Sequence, residues 1–239
     1  MNILITSGGT KVMLDRVRHI GNMSMGTFGS RIAMSALKRG HKVHFFHAKH
    51  SKTPFTFNAD VFRDYHLRDI RDNLEELIAA NMQFGDNYSQ SVFSDFQDYE
   101  YNLGPLVASK FDAVILAAAA SDYGVDNYVD GKIRSAGNMT INLKTLPKLI
   151  GRVKEWNPNI KLVGFKLLVN STDDELITEA KKSIDKNKCD MVVANDLRDI
   201  KNNNHSLIIV KPNSMKVYNT DYDDKYYLAR QVIKELEEI

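Results

Sequence analysis

Cysteine is nearly absent. Cys189 is the only one in 239 residues, which excludes an intrachain disulfide and any cysteine-rich metal site and fits a reducing compartment. No apolar run is long either. The longest, Ala113 to Ala120, falls far short of the ~20 residues that cross a bilayer. No basic stretch with a cleavage site precedes the first apolar residues, so no signal peptide is expected and the expected location is cytoplasmic. An excess of one charge is missing too: 32 basic against 30 acidic side chains leave +2, too weak a field to hold a nucleic-acid backbone. An anionic ligand must therefore be met by local groups. There is no G-x-x-x-x-G-K-[ST] loop, no G-x-S-x-G elbow and no H-E-x-x-H. Sixteen residues separate Gly9 from Gly26, so the G-x-G-x-x-G dinucleotide fingerprint is also absent.

What is present is an ordinary globular composition, 43% hydrophobic and 26% charged, at a length that suits one domain over residues 1–239. Ile3-Leu4-Ile5 reads as a buried strand that stops at Ser7-Gly8-Gly9-Thr10. From Gly26, the apolar residues Phe28, Ile32, Ala33, Ala36 and Leu37 recur at helical spacing until Gly40, and Val43 to Phe46 follows as a strand. This βαβ unit predicts parallel pairing. Further strands are expected at Asp60–His66, Ala113–Ala117, Leu162–Phe165 and Met191–Ala194, and a helix at Leu67–Met82. Asn81 to Asn102 lacks clean periodicity and is expected to be an irregular insertion. Thr172-x-x-Glu175 predicts a capping box. A hairpin around Lys211–Ser214 and an amphipathic helix through Leu228, Val232 and Leu236 close the chain. The expected fold class is α/β: a Rossmann-like, mainly parallel sheet flanked by helices, with an antiparallel edge hairpin.

In such a sheet ligands bind beyond the carboxyl ends of the strands. Gly8, Ser24, Gly26 and Gly29 surround a helix start, where free N–H groups and the positive dipole end suit phosphate. Ala118, Ala119 and Ala120 leave room for a ligand beside Asp122, and Lys132 lies on a basic glycine-flanked loop. Phe165 could stack on a base and Asn195 could read its edge. Lys49, where a nicotinamide enzyme using the unphosphorylated cofactor carries an acid, keeps open an oxidoreductase that binds the phosphorylated dinucleotide. A non-catalytic nucleotide sensor is the third reading. Cys189, beside an expected buried strand and with no histidine near it in sequence, reads as structural, and the histidines lack metal-ligand spacing.

The order of the motifs adds more than any one of them. Thr6-Ser7-Gly8-Gly9-Thr10, Val17-Arg18-x-Ile20-x-Asn22-x-Ser24-x-Gly26-x-x-Gly29, Ala118-Ala119-Ala120-Ser121-Asp122-Tyr123, Lys132-Ile133, Gly164-Phe165-Lys166-Leu167 and Val193-Ala194-Asn195-Asp196 together resemble the phosphopantothenoylcysteine synthetase family, in its stand-alone form. The resemblance runs from residue 2 to about residue 238. It implies a ligase of coenzyme A biosynthesis that joins 4′-phosphopantothenate to L-cysteine through an acyl-nucleotide, with release of pyrophosphate. By the same resemblance Gly8, Ser24, Gly26, Gly29, Asp122, Lys132, Pro147, Lys148, Leu149, Ile150, Phe165, Lys182, Lys186 and Asn195 would bind nucleotide. Asn22 would handle the acyl intermediate, Lys132 would sit on a lid, and Ala118, Ala119 and Asp122 would touch substrate. Arg18 would reach the substrate phosphate across a homodimer interface. Magnesium would accompany the triphosphate. Met25 stands where the family commonly has serine, and Phe165-Lys166-Leu167 is closer to the eukaryotic form, so both CTP, the preferred expectation, and ATP stay open.

Overall fold

Alternation along the strands decides the layers. On β1 (Asn2–Ser7), Leu4 faces one side of the sheet while Ile3 and Ile5 face the other, and all three are fully buried. The same two-residue period separates Phe46 from Phe45 on β4 (Lys42–Ala48), and Leu162 from Val163 on β9 (Lys161–Leu168). A sheet apolar on both faces must be covered on both. One face receives α3 (Phe96–Val107), α4 (Val153–Trp156) and α5 (Asp173–Asn187) through Phe96, Leu103, Val153, Leu176 and Ile184. The other receives α1 (Thr27–Lys38) and the C-terminal helix α6 (Tyr227–Glu237) through Ile32, Leu37, Val232 and Leu236.

The computed structural model describes residues 1–56, 67–135, 137–198, 206–220, 224 and 226–239. With β5 (Tyr88–Phe93), β6 (Ala113–Leu116), β10 (Met191–Asp196), β11 (Ser206–Lys211) and β12 (Ser214–Asn219), the eight strands lie in the order β12-β11-β10-β9-β6-β1-β4-β5. Pairing is parallel from β10 to β5 and antiparallel at β10–β11 and β11–β12. This is the expected mainly parallel sheet with its antiparallel edge hairpin. β1 connects onward to β4 on one side, while β6 sits on its other side, so the order reverses between β1 and β6. Two small hairpins, β2–β3 (Lys11–Met13 and His19–Gly21) and β7–β8 (Tyr123–Val125 and Leu143–Thr145), stand above that reversal.

The expected irregular insertion at 81–102 is corrected. α2 (Leu67–Phe84) runs into a short turn, then β5 adds a parallel edge strand to β4 and α3 begins at Asp95, whose side chain caps the Asp98 N–H at 2.9 Å. The physical reason is exposure. As an edge strand β5 buries only Phe93, so it shows no apolar alternation, while α3 buries a stripe rich in aromatics, Phe96, Tyr99, Leu103 and Val107. The strand expected at Asp60–His66 lies outside the described residues. Thr172 caps α5 with the expected reciprocal bonds to Glu175.

Candidate active site

At the reversal the chain ends of β1 and β6 do not splay apart. Gly9 pairs with Ala119, the Ala119 N–H donates to Gly8 O at 2.8 Å, and the Thr10 N–H donates to Ala119 O at 3.1 Å. Hydroxyls reinforce the seam: Thr6 Oγ1 accepts from the Ala118 N–H at 3.2 Å, and Thr10 Oγ1 accepts from the Ser121 N–H at 2.8 Å. Behind it the Tyr99 hydroxyl, pushed up to about 12 by burial, donates to Thr6 Oγ1 at 3.4 Å. The floor of the crevice is thus backbone and hydroxyl, held from α3.

Asn22 lies on this seam. Its Nδ2 donates to Ala119 O at 2.7 Å, and a Cβ added at Gly9 would meet Asn22 O at 2.6 Å. Only glycine lets the strand end pass under Asn22. Beyond Asn22 the chain turns through Ser24 into α1, whose cap Gly26 has φ +75° and no side-chain cap bond, with no acidic residue in the first turn. The α1 N-terminus therefore presents unneutralised N–H groups toward the crevice, the arrangement that receives anions. Gly26 and Gly29 also have a packing reason. Added Cβ atoms would meet Ser7 Oγ at 2.8 Å and overlap the Ser7 side chain, respectively, so these glycines let α1 approach the end of β1. Gly8, at φ +85°, lies against Ser51 and Ala48 of the turn after β4. That turn, with the Lys52 N–H donating to Met25 O at 2.9 Å, braces the loop and carried no signal in the sequence.

The Arg18 turn and the loop that carries Lys132 are joined by a residue that sequence reasoning missed. Asp15 is fully buried. It accepts from the Val17 and Arg18 N–H groups, each at 2.7 Å, and from the Ile133 N–H at 3.0 Å, and the Arg18 guanidinium donates to Ile133 O. The Ile133 N–H chiefly, against burial and with help from Val17 and Arg18, lowers the Asp15 carboxyl below the usual aspartate value.

Asp122 and Lys148, both exposed, form an ion pair at the rim, with Pro147 exposed beside them. Leu149 is buried in the core and Ile150 packs toward Gly164, so of the Pro147–Ile150 stretch only Pro147 and Lys148 can offer side chains. Phe165 lies within β9, not at its end as expected. It reaches the crevice because β6 has already stopped at Leu116, and it meets Phe28 of α1 edge-on at 6.1 Å. Asn195 is half-buried two residues further along β10, next to Asp196, whose carboxyl the Ser171 N–H above all holds down at about 2. Lys182 pairs with Glu179 at 2.7 Å, and Glu179 also meets Lys166 at 3.3 Å; Lys182 and Glu179 line a groove beside Leu168, at the end of β9. Lys186 lies in the last turn of α5, which leads back to the start of β10, and is carried away from the strand ends. No described group of three or more histidine, cysteine or acidic side chains is arranged to hold a metal.

A family model for the DNA/pantothenate metabolism flavoprotein C-terminal domain matches residues 1–77 and 105–239. The phosphopantothenate–cysteine ligase of Mus musculus is 30% identical over 235 residues, covering 83% of this chain and 73% of that enzyme. The chain belongs to the phosphopantothenate–cysteine ligase family. A bifunctional coenzyme A biosynthesis protein of Thermococcus kodakarensis is 33% identical over 87% of this chain, which spans only 44% of that protein's length. The crystal structure of a DNA/pantothenate metabolism flavoprotein from Streptococcus pneumoniae superposes with TM-score 0.77 at 29% identity, covering 100% of this chain and 99% of that one. The segments that meet at the seam are the end of β1, the Asn22 loop and the chain after β6. No described helix is long and apolar enough to cross a membrane.

Proposed function

We propose that this chain is itself a phosphopantothenate–cysteine ligase, activating 4′-phosphopantothenate with a nucleoside triphosphate, CTP in preference to ATP, and then transferring the acyl group to L-cysteine. The observation that carries the proposal is the place of Asn22, hydrogen-bonded across the β1–β6 seam between the uncapped start of α1 and the Asp15–Arg18–Ile133 knot. In the first step a substrate carboxylate oxygen bonds to the α-phosphorus, the bond to the β-phosphate oxygen breaks, and pyrophosphate leaves with that electron pair. In the second, the cysteine amine bonds to the acyl carbon, the nucleotide monophosphate leaves, and the amine proton passes to solvent. Neither step needs a protein nucleophile, so the chain's task is positioning and charge stabilisation.

Gly8, Ser24 and the α1 N–H groups would hold the phosphates, with Phe165 and Asn195 near the base. One Asn22 amide hydrogen is committed to Ala119 O, and the other would donate to the acyl oxygen as charge builds on it. Lys132 would close on the same charge. Magnesium would come as a companion of the triphosphate, whose phosphates would supply most of its oxygen ligands. It would neutralise phosphate charge when bound.

A homodimer with shared sites is part of the proposal. Val17, Ile20, Met23, Tyr128, Met139 and Leu143 expose apolar side chains on the hairpins and loops around the crevice, Met23 by 93%, an expensive display unless another surface covers some of them. Arg18 would then serve the neighbouring subunit's substrate phosphate, and mixing inactive Arg18→Ala and Asn22→Ala chains should restore part of the activity. No recovery after proven subunit exchange would reject sharing. The function itself is tested by incubating the chain with Mg2+, phosphopantothenate, cysteine and either triphosphate. Mass spectrometry should find phosphopantothenoylcysteine, pyrophosphate and the monophosphate, more of it with CTP; absence of product with both triphosphates rejects the reading.

A further inference from the structure

Asp15 is a carboxylate with no exposure at all, and ionised groups are kept in such places only when their hydrogen bonds are complete. Its partners form two arms. Oδ1 takes the Val17 and Arg18 N–H groups of the β2–β3 turn, while Oδ2 takes the Ile133 N–H, one residue from Lys132, and lies 3.4 Å from Arg18 Nε. The Arg18 guanidinium donating to Ile133 O closes the ring Asp15–Arg18–Ile133. Around the ring the two segments run together: the Val129 N–H donates to Leu14 O at 3.1 Å and the Arg16 N–H to Gly131 O at 2.9 Å.

We propose that Asp15 is a positioning residue that ties the hairpin bearing Arg18 to the neighbouring loop bearing Lys132, and so holds Lys132 at the charge it serves. The inference rests on the ligase reading. A residue that only held the β2–β3 turn would need one acceptor oxygen, which asparagine also supplies. Binding the loop as well needs acceptors on both oxygens, which only a carboxylate offers. Lys132 is exposed, and its position follows from Ile133, the next residue along the chain. Release of the Oδ2 arm therefore leaves the hairpin formed and lets Lys132 wander.

Asp15→Asn is the discriminating change, because an amide satisfies one arm and sets an N–H donor against the N–H donors of the other. The expected result is a fall in kcat of about tenfold or more, since misplacing a catalytic group by an ångström is enough for losses of that order, together with faster amide exchange at residues 131–135. Made in a Lys132→Ala background, the same change should cost less than about threefold, because the group it positions is already gone. Equal losses in both backgrounds, or unchanged kcat and exchange, overturn the proposal. If Asp15→Asn does not fold, Ile133→Pro removes the donor of the same arm from the other side and enters the same cycle. A wild-type chain that forms no product would instead reject the ligase reading, and amide exchange would then decide whether Asp15 joins the two segments.

Discussion

Asp15 and Glu235 are both acids buried by the fold, and the contrast between them separates what holds this protein together from what shapes its site. Glu235, on the inner side of α6, meets side chains: Lys211 at 2.7 Å, Lys216 at 2.6 Å and the Tyr218 hydroxyl at 2.5 Å, all on the β11–β12 hairpin. Asp15 meets mainly backbone N–H groups on two loops. A carboxylate satisfied by side chains fastens one element to another, here α6 to the edge hairpin. One satisfied by loop backbone sets the path of the loops and so the place of the side chains they carry. Equal burial therefore predicts different phenotypes.

The sharpest way to break the contrast is Glu235→Ala, which removes the buried partner of Lys211, Lys216 and Tyr218 and leaves the two lysines only the half-exposed Glu238, at 3.3 and 3.2 Å. Losing one partner of a buried ionic cluster costs about 3–5 kcal/mol, so urea unfolding should shift strongly while KM for every substrate stays the same; a change in KM at unchanged stability would reverse the roles. The cluster also predicts acid sensitivity. Burial alone would raise the Glu235 carboxyl, but hydrogen bonds from Lys211, Lys216 and Tyr218 outweigh it and bring it to about 2, from 4.5. A depressed folded value gives stability that is complete above the unfolded value and lost as pH falls from about 4.5 toward 2. Urea titrations across that range should show a larger fall for the wild type than for Glu235→Gln.

Lys132→Ala should leave unfolding unaffected and lower kcat by about 100-fold, since a cation aimed at developing charge acts mainly in the transition state. Equal losses in kcat and in triphosphate affinity would reduce it to a binding group. A smaller effect is expected at Gly29, where a Cβ overlaps the Ser7 side chain. Gly29→Ala should cost about 1–3 kcal/mol as overpacking and disturb the α1 N-terminus, so stability and triphosphate affinity should fall together. Thr172→Ala, which removes the α5 cap far from the hairpins, should cost about 1 kcal/mol with no kinetic change.

The layers of the fold were legible because the cores of β1, β6, β9 and β10 are buried on both faces and write that burial as apolar runs, while α1 writes its burial at helical spacing. β5 was not, because an edge strand with a single buried residue writes no pattern. At the site, the glycines and the segment order were readable, but their reasons were only half so: Gly26 and Gly29 look alike to a phosphate and to Ser7 until the helix is placed. Ser51 against Gly8, Tyr99 against Thr6 and Asp15 against Ile133 act across separations of 43 to 118 residues, and nothing local in the sequence marks such partners. The place of Lys186 was not legible either, since helical spacing alone does not say which end of α5 lies at the carboxyl ends of the strands.

The claim on which the rest depends is that Asn22, on the β1–β6 seam, stabilises the acyl transfer to cysteine. Rapid quench of Asn22→Ala with phosphopantothenate and CTP, with and without cysteine, tests it most directly. Losing one donor to a developing oxyanion typically slows a step by about 10²–10³, so the acyl-nucleotide should form and accumulate even when cysteine is present. Wild-type turnover with no trapped acyl-nucleotide would contradict the account.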